Sequence, residues 1–252
     1  MKFEDKVAIL RSKKYQGKET PELLEDIKKI ADGEAYEYIL GEVPFCGAKV
    51  DLSLRPMIPR PETECWVKQA IDEMKGEKSK YVLRVLDMFA GSGNVGLAML
   101  KGFQETNVDF IEVDPKLKEQ IEISVVRNNI KKTRTRVLTG DTWEGAVSAY
   151  DYIFAVPPYV PPQMKEEVMK ELSAEEPLSF FDKEDGYYYH KQVLSRAQEF
   201  LKDDGILYLE FDITQRETIE KLVLENGFVG YHFLKDPYDH DCAIVLGKTV
   251  QE

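Results

Sequence analysis

Two short stretches put chemistry-bearing residues at the ends of extended runs. The first is Val156-Pro157-Pro158-Tyr159, inside "DYIFAVPPYVPP". Each proline fixes its own φ, lacks an N–H and holds the residue before it extended, so this corner is stiff and its carbonyls stay outside a sheet ladder. A fixed carbonyl beside a flat aromatic ring suits a planar NH2 group: the carbonyl accepts one N–H while the Tyr159 ring stacks on the face. Alkylating an amide or exocyclic amine nitrogen needs such help, because the lone pair localises on nitrogen only as the new bond forms. Acceptors already aimed at the N–H bonds stabilise the charge that develops there. Read without chemistry, Pro-Pro simply ends a strand.

The second stretch is "LDMFAGSGNVG", Leu86 to Gly96, in which Gly91, Gly93 and Gly96 match Gly-x-Gly-x-x-Gly. The pattern is weak alone, but it falls where a first strand turns into a first helix, the edge at which open α/β sheets bind ligands. Two cofactor classes compete. A dinucleotide would set its pyrophosphate on the helix N-terminus, where Asp87 adds an opposing negative charge. S-adenosylmethionine carries an ammonium and a cationic sulfur, and its carboxylate can take the helix N-terminus, so Asp87 followed by small residues suits it better. Asp114 in "FIEVDP" lies about twenty residues on, where a carboxylate accepts ribose hydroxyls in both classes; it also reads as an N-cap. In "GDTW", Asp141, Thr142 and Trp143 either edge an adenine or form a plain turn.

Alternating strands and helices position these loops. "YVLRVLDM", "VDFIEVD", "TRVLTG", "DYIFAV" and "GILYLEF" read as strands, with helices over Asn94–Gly102, Pro115–Asn129, Asp185–Leu201 and Gln215–Glu225. "FVGYHFL" and "CAIVLGK" follow with only a loop between them, which predicts an antiparallel pair closing one edge of a mostly parallel sheet. Upstream, Thr20-Pro21-Glu22 is a helix start, with Leu23, Leu24, Ile27, Ile30 and Ala31 at helical spacing and Gly33 at the stop. Residues 1–34 read as a short helical region. Residues 35–80 read as a linker, extended and turn-broken from Ala35 to Leu54, then a helix after "MIPRPETE"; residues 81–252 form the main domain.

Composition narrows the classes. With 43% hydrophobic and 32% charged residues, the chain is that of an ordinary globular protein. Its 34 Lys and Arg against 46 Asp and Glu give a net charge of -12, which opposes a phosphate backbone. The basic cluster Lys131, Lys132, Arg134 and Arg136 has no interleaved aromatics and reads as a solvated link. Cys46, Cys65 and Cys242 fit neither a disulfide framework nor a metal knuckle, and His190, His232 and His240 lack metal-ligand spacing, so no metal is expected. "MKFEDK" is charged at once and no apolar run suits a bilayer, so a cytoplasmic protein is expected.

Taken in order, "GEAYEYILGEVPFCG", "MIPRPETE", "VLDMFAGSG", "EVDP", "VPPYVP", "EEPLSFFDKEDGYYYH", "LKDDGILYLEFDITQ" and "AIVLGK" resemble the HemK-type N5-glutamine methyltransferases, which modify the Gly-Gly-Gln loop of peptide chain release factors. The resemblance runs from Ala35 to Lys248. It implies a Rossmann-like class I methyltransferase fold with a mostly parallel seven-stranded sheet, S-adenosylmethionine as cofactor and a release factor as protein substrate. It further implies cofactor contacts from Asp87, Phe89, Ala90, Gly91, Ser92, Gly93, Asp114 and Thr142, joined by Asp141 from the turn reading. Arg60, Pro61, Glu62 and Thr63 occupy the motif lying over the cofactor, and Val156, Pro157, Pro158 and Tyr159 occupy the substrate clamp.

Three departures qualify that resemblance. The family has Asn where this chain has Val156, and the Asn oxygen accepts one of the two target N–H bonds. The N-terminal helical domain is much shortened, and Phe89 stands where the loop signature has a glycine. Two alternatives therefore stay open: a cofactor-binding regulatory protein with weak or no turnover, and an amino-methyltransferase with a different substrate.

Overall fold

The computed structural model describes residues 1–77, 82–147, 149–172 and 174–248. The expected boundary between residues 80 and 81, and Tyr81 at the head of the expected first strand, lie outside the described residues.

The chain opens with α1 (Phe3–Lys13) and α2 (Pro21–Ala31). Thr20 caps α2 as its sequence predicts, its hydroxyl accepting the Leu23 N–H at 3.2 Å while Pro21 fills the first helical position. Leu10, Leu23 and Ile30 form a small core with Tyr36 and Ile39. That core overturns part of the expected extended stretch: Tyr36–Leu40 is a short helix, α3, closed by Gly41 at φ 83°. Tyr36 and Ile39 are three residues apart, and only a helical turn brings both onto the same apolar surface. The rest of the stretch is extended, β1 (Glu42–Phe45) pairing antiparallel with β2 (Ala48–Asp51) before α4 (Pro61–Glu77).

The main sheet follows. Its strands are β3 (Arg84–Met88), β4 (Asn107–Glu112), β5 (Thr135–Thr139), β6 (Tyr150–Ala155), β7 (Leu201–Glu210), β8 (Tyr231–Lys235) and β9 (Asp241–Gly247), with α5 (Asn94–Gly102), α6 (Pro115–Arg127), α7 (Lys165–Glu171), α8 (Tyr188–Phe200) and α9 (Arg216–Glu225) between them. The seven strands stand in the order β5-β4-β3-β6-β7-β9-β8. β3 to β7 pair in parallel, and β9 runs antiparallel to both β7 and β8, as the loop-only connection predicts.

Every residue of β6 is buried, which is why that strand reads as an unbroken apolar run rather than an alternating one. One face packs under α4 and α5: Trp66 stacks on Phe154 at 6.2 Å and on Tyr208 at 6.4 Å between ring centroids. The opposite face buries Ile153, Leu207 and Leu209 with Val193 and Leu194 of α8 and Ile219 and Val223 of α9. The order leads outward from β3 through β4 in one direction and through β6 in the other, so a crevice opens beyond the carboxyl ends of those strands. Both stretches singled out in the sequence meet there.

Candidate active site

The glycine turn leaves β3 at Met88, and its backbone needs left-handed conformations at Phe89 (φ 56°), Gly91 (φ 51°) and Gly93 (φ 77°). Gly96 serves another purpose. A Cβ there would lie 2.9 Å from Val108 Cγ1 and nearer still to the Phe110 ring, so the bare backbone lets α5 settle onto β4. Asp87, only 2% exposed, accepts the Gly96 N–H at 2.8 Å. Burial pushes its carboxyl up to about 8, and the nearby Glu112 acts in the same direction. The ligand-free site therefore favours the protonated form of Asp87, and a bound cation would favour the ionised one.

β4 ends in a second buried carboxylate. Glu112 accepts the Gly91 N–H at 2.7 Å through Oε2 and the Asp114 N–H at 2.9 Å through Oε1, tying the glycine turn to the start of α6. Burial raises its pKa. Asp114 lines the same cavity, but its Oδ1 accepts the Lys116 N–H at 2.8 Å and caps α6. Asp141 and Thr142 follow β5 on the cavity wall, and Asp141 accepts from Lys183 Nζ at 2.8 Å. Trp143 does not edge this cavity. Its ring stacks on Phe200 at 4.4 Å and its Nε1 donates to the Gln192 carbonyl, so its apolar area is spent in the core beneath α8.

Across the crevice, β6 ends in the proline corner. Val156 is half-buried against the core under α4, Pro157 is buried, and Pro158 and Tyr159 are half-buried. Burial, then the Glu210 and Asp212 carboxylates, raise the Tyr159 hydroxyl well above its ordinary pKa. The corner is braced by a short bridge in which the Val160 N–H donates to the Phe180 carbonyl and the Asp182 N–H to the Val160 carbonyl. Two strips close over the cavity. Residues 57–60 and 174–179 are joined by Glu175, which accepts the Ile58 N–H at 2.8 Å and the Arg60 guanidinium at 2.7 Å. Behind them Glu210, at the end of β7, accepts from Thr63 Oγ1 at 2.7 Å and Trp66 Nε1 at 2.6 Å.

The cavity bounded by these elements opens to solvent, with about 1010 Å³ of non-atom space in the cavity and its mouth together. Of the residues expected at the site, Arg60, Thr63, Asp87, Phe89, Ala90, Gly91, Ser92, Asp114, Asp141, Thr142, Val156 and Pro158 line it. Pro61, Gly93, Pro157 and Tyr159 do not, and stand behind the wall. Sequence reasoning gave no role to Glu112, Glu176, Leu178, Ser179 and Tyr189, which line the cavity, or to Glu175 and Glu210, which brace it, although all seven fall within the quoted motifs. Glu112 and Glu210 carry a legible signal, a carboxylate ending an apolar strand at the ligand edge. The strip at 174–179 has no periodicity to mark it. Phe89, the departure in the glycine turn, meets Tyr189 edge-on with centroids 5.2 Å apart, so its ring joins the two sides of the cavity.

The lining suits a cation-bearing ligand with hydroxyl donors. Among the described lining residues, Glu112, Asp114, Asp141 and Glu176 outnumber the cation Arg60, which disfavours a pyrophosphate. Among the described residues no cluster of His, Cys, Asp and Glu has metal-holding geometry, and no helix is long and apolar enough to cross a membrane. The basic cluster beyond α6 is partly used internally, Arg134 bonding the Leu100, Phe103 and Thr106 carbonyls and Arg136 the Asp109 carboxylate.

Comparison with known proteins bears on the fold and the family. A release factor glutamine methyltransferase of Thermodesulfovibrio yellowstonii is 29% identical over 86% of this chain and 77% of its own length. One from Clostridium botulinum is 27% identical over 97% and 87%, and one from Fusobacterium nucleatum is 28% identical over 85% of this chain but only 60% of its own. The resemblance read from the motifs is borne out. By fold, a methyltransferase from Pyrococcus furiosus matches 91% of this chain and 97% of its own with a TM-score of 0.57 at 16% identity. Another matched chain, a methyltransferase complexed with SAH, gives a TM-score of 0.56 at 11% identity over 82% of this chain and 55% of its own. These establish the class I methyltransferase fold. The family model described as conserved hypothetical protein 95 matches residues 52–191. With more than half of its length matched, the chain belongs to the conserved hypothetical protein 95 family.

Proposed function

We propose that this protein is an S-adenosylmethionine-dependent methyltransferase acting on the side-chain amide nitrogen of a glutamine in a peptide chain release factor. One observation carries the reading: a buried carboxyl, Asp87, and a stiff proline corner share one cavity at the sheet edge. The serial motifs and the named relatives support the acceptor. The acidic surface charge and the internal use of Arg134 and Arg136 weigh against a duplex nucleic acid partner. A release factor acceptor supports a cytoplasmic location.

When bound, S-adenosylmethionine supplies an electrophilic methyl group. Asp87 would ionise to hold the cofactor's ammonium, its proton passing to solvent, and its raised pKa keeps that exchange within reach of neutral pH. Glu112 and Asp114 offer acceptors to a ribose diol, and the turn from Phe89 to Gly93 brings bare backbone close to the cofactor. The strips joined by Glu175 would cover part of a bound ligand. The corner, which reaches the cavity through Val156 and Pro158, would hold a flat amide there. Methylation of the amide nitrogen would release one of its protons, which would leave to solvent through the open mouth of the cavity. Carbonyls held by the prolines accept the N–H bonds as charge develops.

The test is direct. Incubation of the protein with labelled S-adenosylmethionine and a release factor is expected to label one glutamine, located by mass spectrometry. Full cofactor binding with no label in any translation factor sinks the acceptor reading.

A further inference from the structure

The corner carries Val156 where the resembling family has an asparagine oxygen, and the neighbouring side chains show what stands in its place. β6 and β7 run in register with Phe154 opposite Tyr208 and Ala155 opposite Leu209. Continued one residue past the Ala155–Leu209 pair, the same register would bring Val156 next to Glu210, on the face where Phe154 and Tyr208 stack at 4.8 Å. Glu210 is 6% exposed, and its Oε2 is held by two donors, Thr63 Oγ1 and Trp66 Nε1. A threonine hydroxyl has one hydrogen and two lone pairs. With the hydrogen committed to Glu210, the Thr63 oxygen has only lone pairs for any other partner. Thr63 lines the cavity together with Val156 and Pro158.

We propose that Thr63 Oγ1 accepts the second N–H of the acceptor amide, replacing the missing asparagine oxygen, and that Glu210 is the positioning residue that turns the hydroxyl to face the substrate. The inference rests on the glutamine-methylation reading above. As the nitrogen bonds to carbon it becomes more positive and its remaining N–H bonds become stronger donors, so a fixed acceptor acts mainly in the transition state. A hydroxyl whose hydrogen points at a carboxylate is polarised toward a more negative oxygen, and so accepts better than a free hydroxyl. Trp66 Nε1 holds the same carboxylate oxygen, which keeps Glu210 from swinging into the cavity.

A purely structural tie between α4 and β7 predicts the same hydrogen bonds, but it gives residue 156 no part in the outcome. The test is therefore a double-mutant cycle read in kcat, acceptor KM and cofactor affinity by calorimetry. Thr63→Val is expected to lower kcat by about 10- to 100-fold, the loss of one acceptor felt in the transition state. Cofactor affinity is expected to change by less than about threefold, and in a Val156→Asn background the same Thr63→Val change is expected to cost less than about threefold in kcat. Thr63→Ser, which keeps the hydroxyl, retains at least about ten times the kcat of Thr63→Val. Glu210→Gln lowers kcat and is likewise rescued by Val156→Asn. An equal loss in both backgrounds, or a fall in cofactor affinity matching the fall in kcat, overturns the inference while the methylation reading stands. A wild-type protein that binds cofactor yet methylates no release factor overturns both.

Discussion

Glu112 and Gly91 are joined by a hydrogen bond of 2.7 Å, from the backbone N–H of the glycine turn to the last side chain of β4. The cofactor loop is thereby fixed by a carboxylate that also faces the cavity, whereas Asp114 spends one oxygen capping α6. Glu112→Ala is expected to weaken S-adenosylmethionine binding by about 10- to 100-fold, since both a ligand acceptor and a loop anchor are lost. Asp114→Ala is expected to weaken it by less than about tenfold, while costing about 1 kcal/mol of stability for the lost cap. Calorimetry on the two variants checks the order; a larger binding loss for Asp114→Ala reverses the assignment.

Asp87 sets a pH dependence of stability in the ligand-free protein. Its folded pKa is raised to about 8 from an unfolded value of 3.8. The unfolded chain therefore releases its proton first as pH rises. Whatever the protonated carboxyl contributes is fully present below the unfolded value and is lost as pH climbs through the folded one. Asp87→Asn removes the ionisable group and keeps the shape. The variant's stability relative to wild type, from urea unfolding without cofactor, is expected to increase between about pH 4 and pH 8. A difference that stays flat across that window contradicts a protonated Asp87.

Gly96 allows α5 its close approach to β4, with Val108 and Phe110 in the way of any Cβ. Gly96→Ala is expected to destabilise the fold by about 1–3 kcal/mol through overpacking. Shortening the obstruction with Phe110→Leu recovers part of that loss, and the coupling is read from the unfolding midpoints of the single and double variants. Purely additive losses contradict the contact.

Much of this architecture was legible before any coordinates. The turn residues after Met88 and Ala155 and the loop-only link between the last two strands follow from local backbone chemistry, so glycine and proline spacing announced them. Residues that act through tertiary neighbours were not legible. Tyr36–Leu40 coils only because a small core formed by α1 and α2 receives Tyr36 and Ile39. Trp143 looked like an adenine edge because it follows a strand end, but Phe200, distant in sequence, captures its ring. Glu112 and Asp114 stand two apart in "EVDP", and sequence cannot say which carboxylate faces inward, since that depends on where the Gly91 N–H lies. The strip at Glu175 is marked by no period or cap, and its place is set by Arg60 and Ile58.

The most direct test of a site built for a cationic methyl donor is titration calorimetry at about pH 7, in two buffers of different ionisation heat, with S-adenosylmethionine and with NAD. S-adenosylmethionine is expected to bind with release of about one proton, as Asp87 ionises opposite the incoming ammonium, and NAD to bind at least about tenfold more weakly. Asp87→Asn is expected to abolish the proton release and lower the affinity. Tighter binding of NAD, or S-adenosylmethionine binding with no proton released and no loss in Asp87→Asn, contradicts the account.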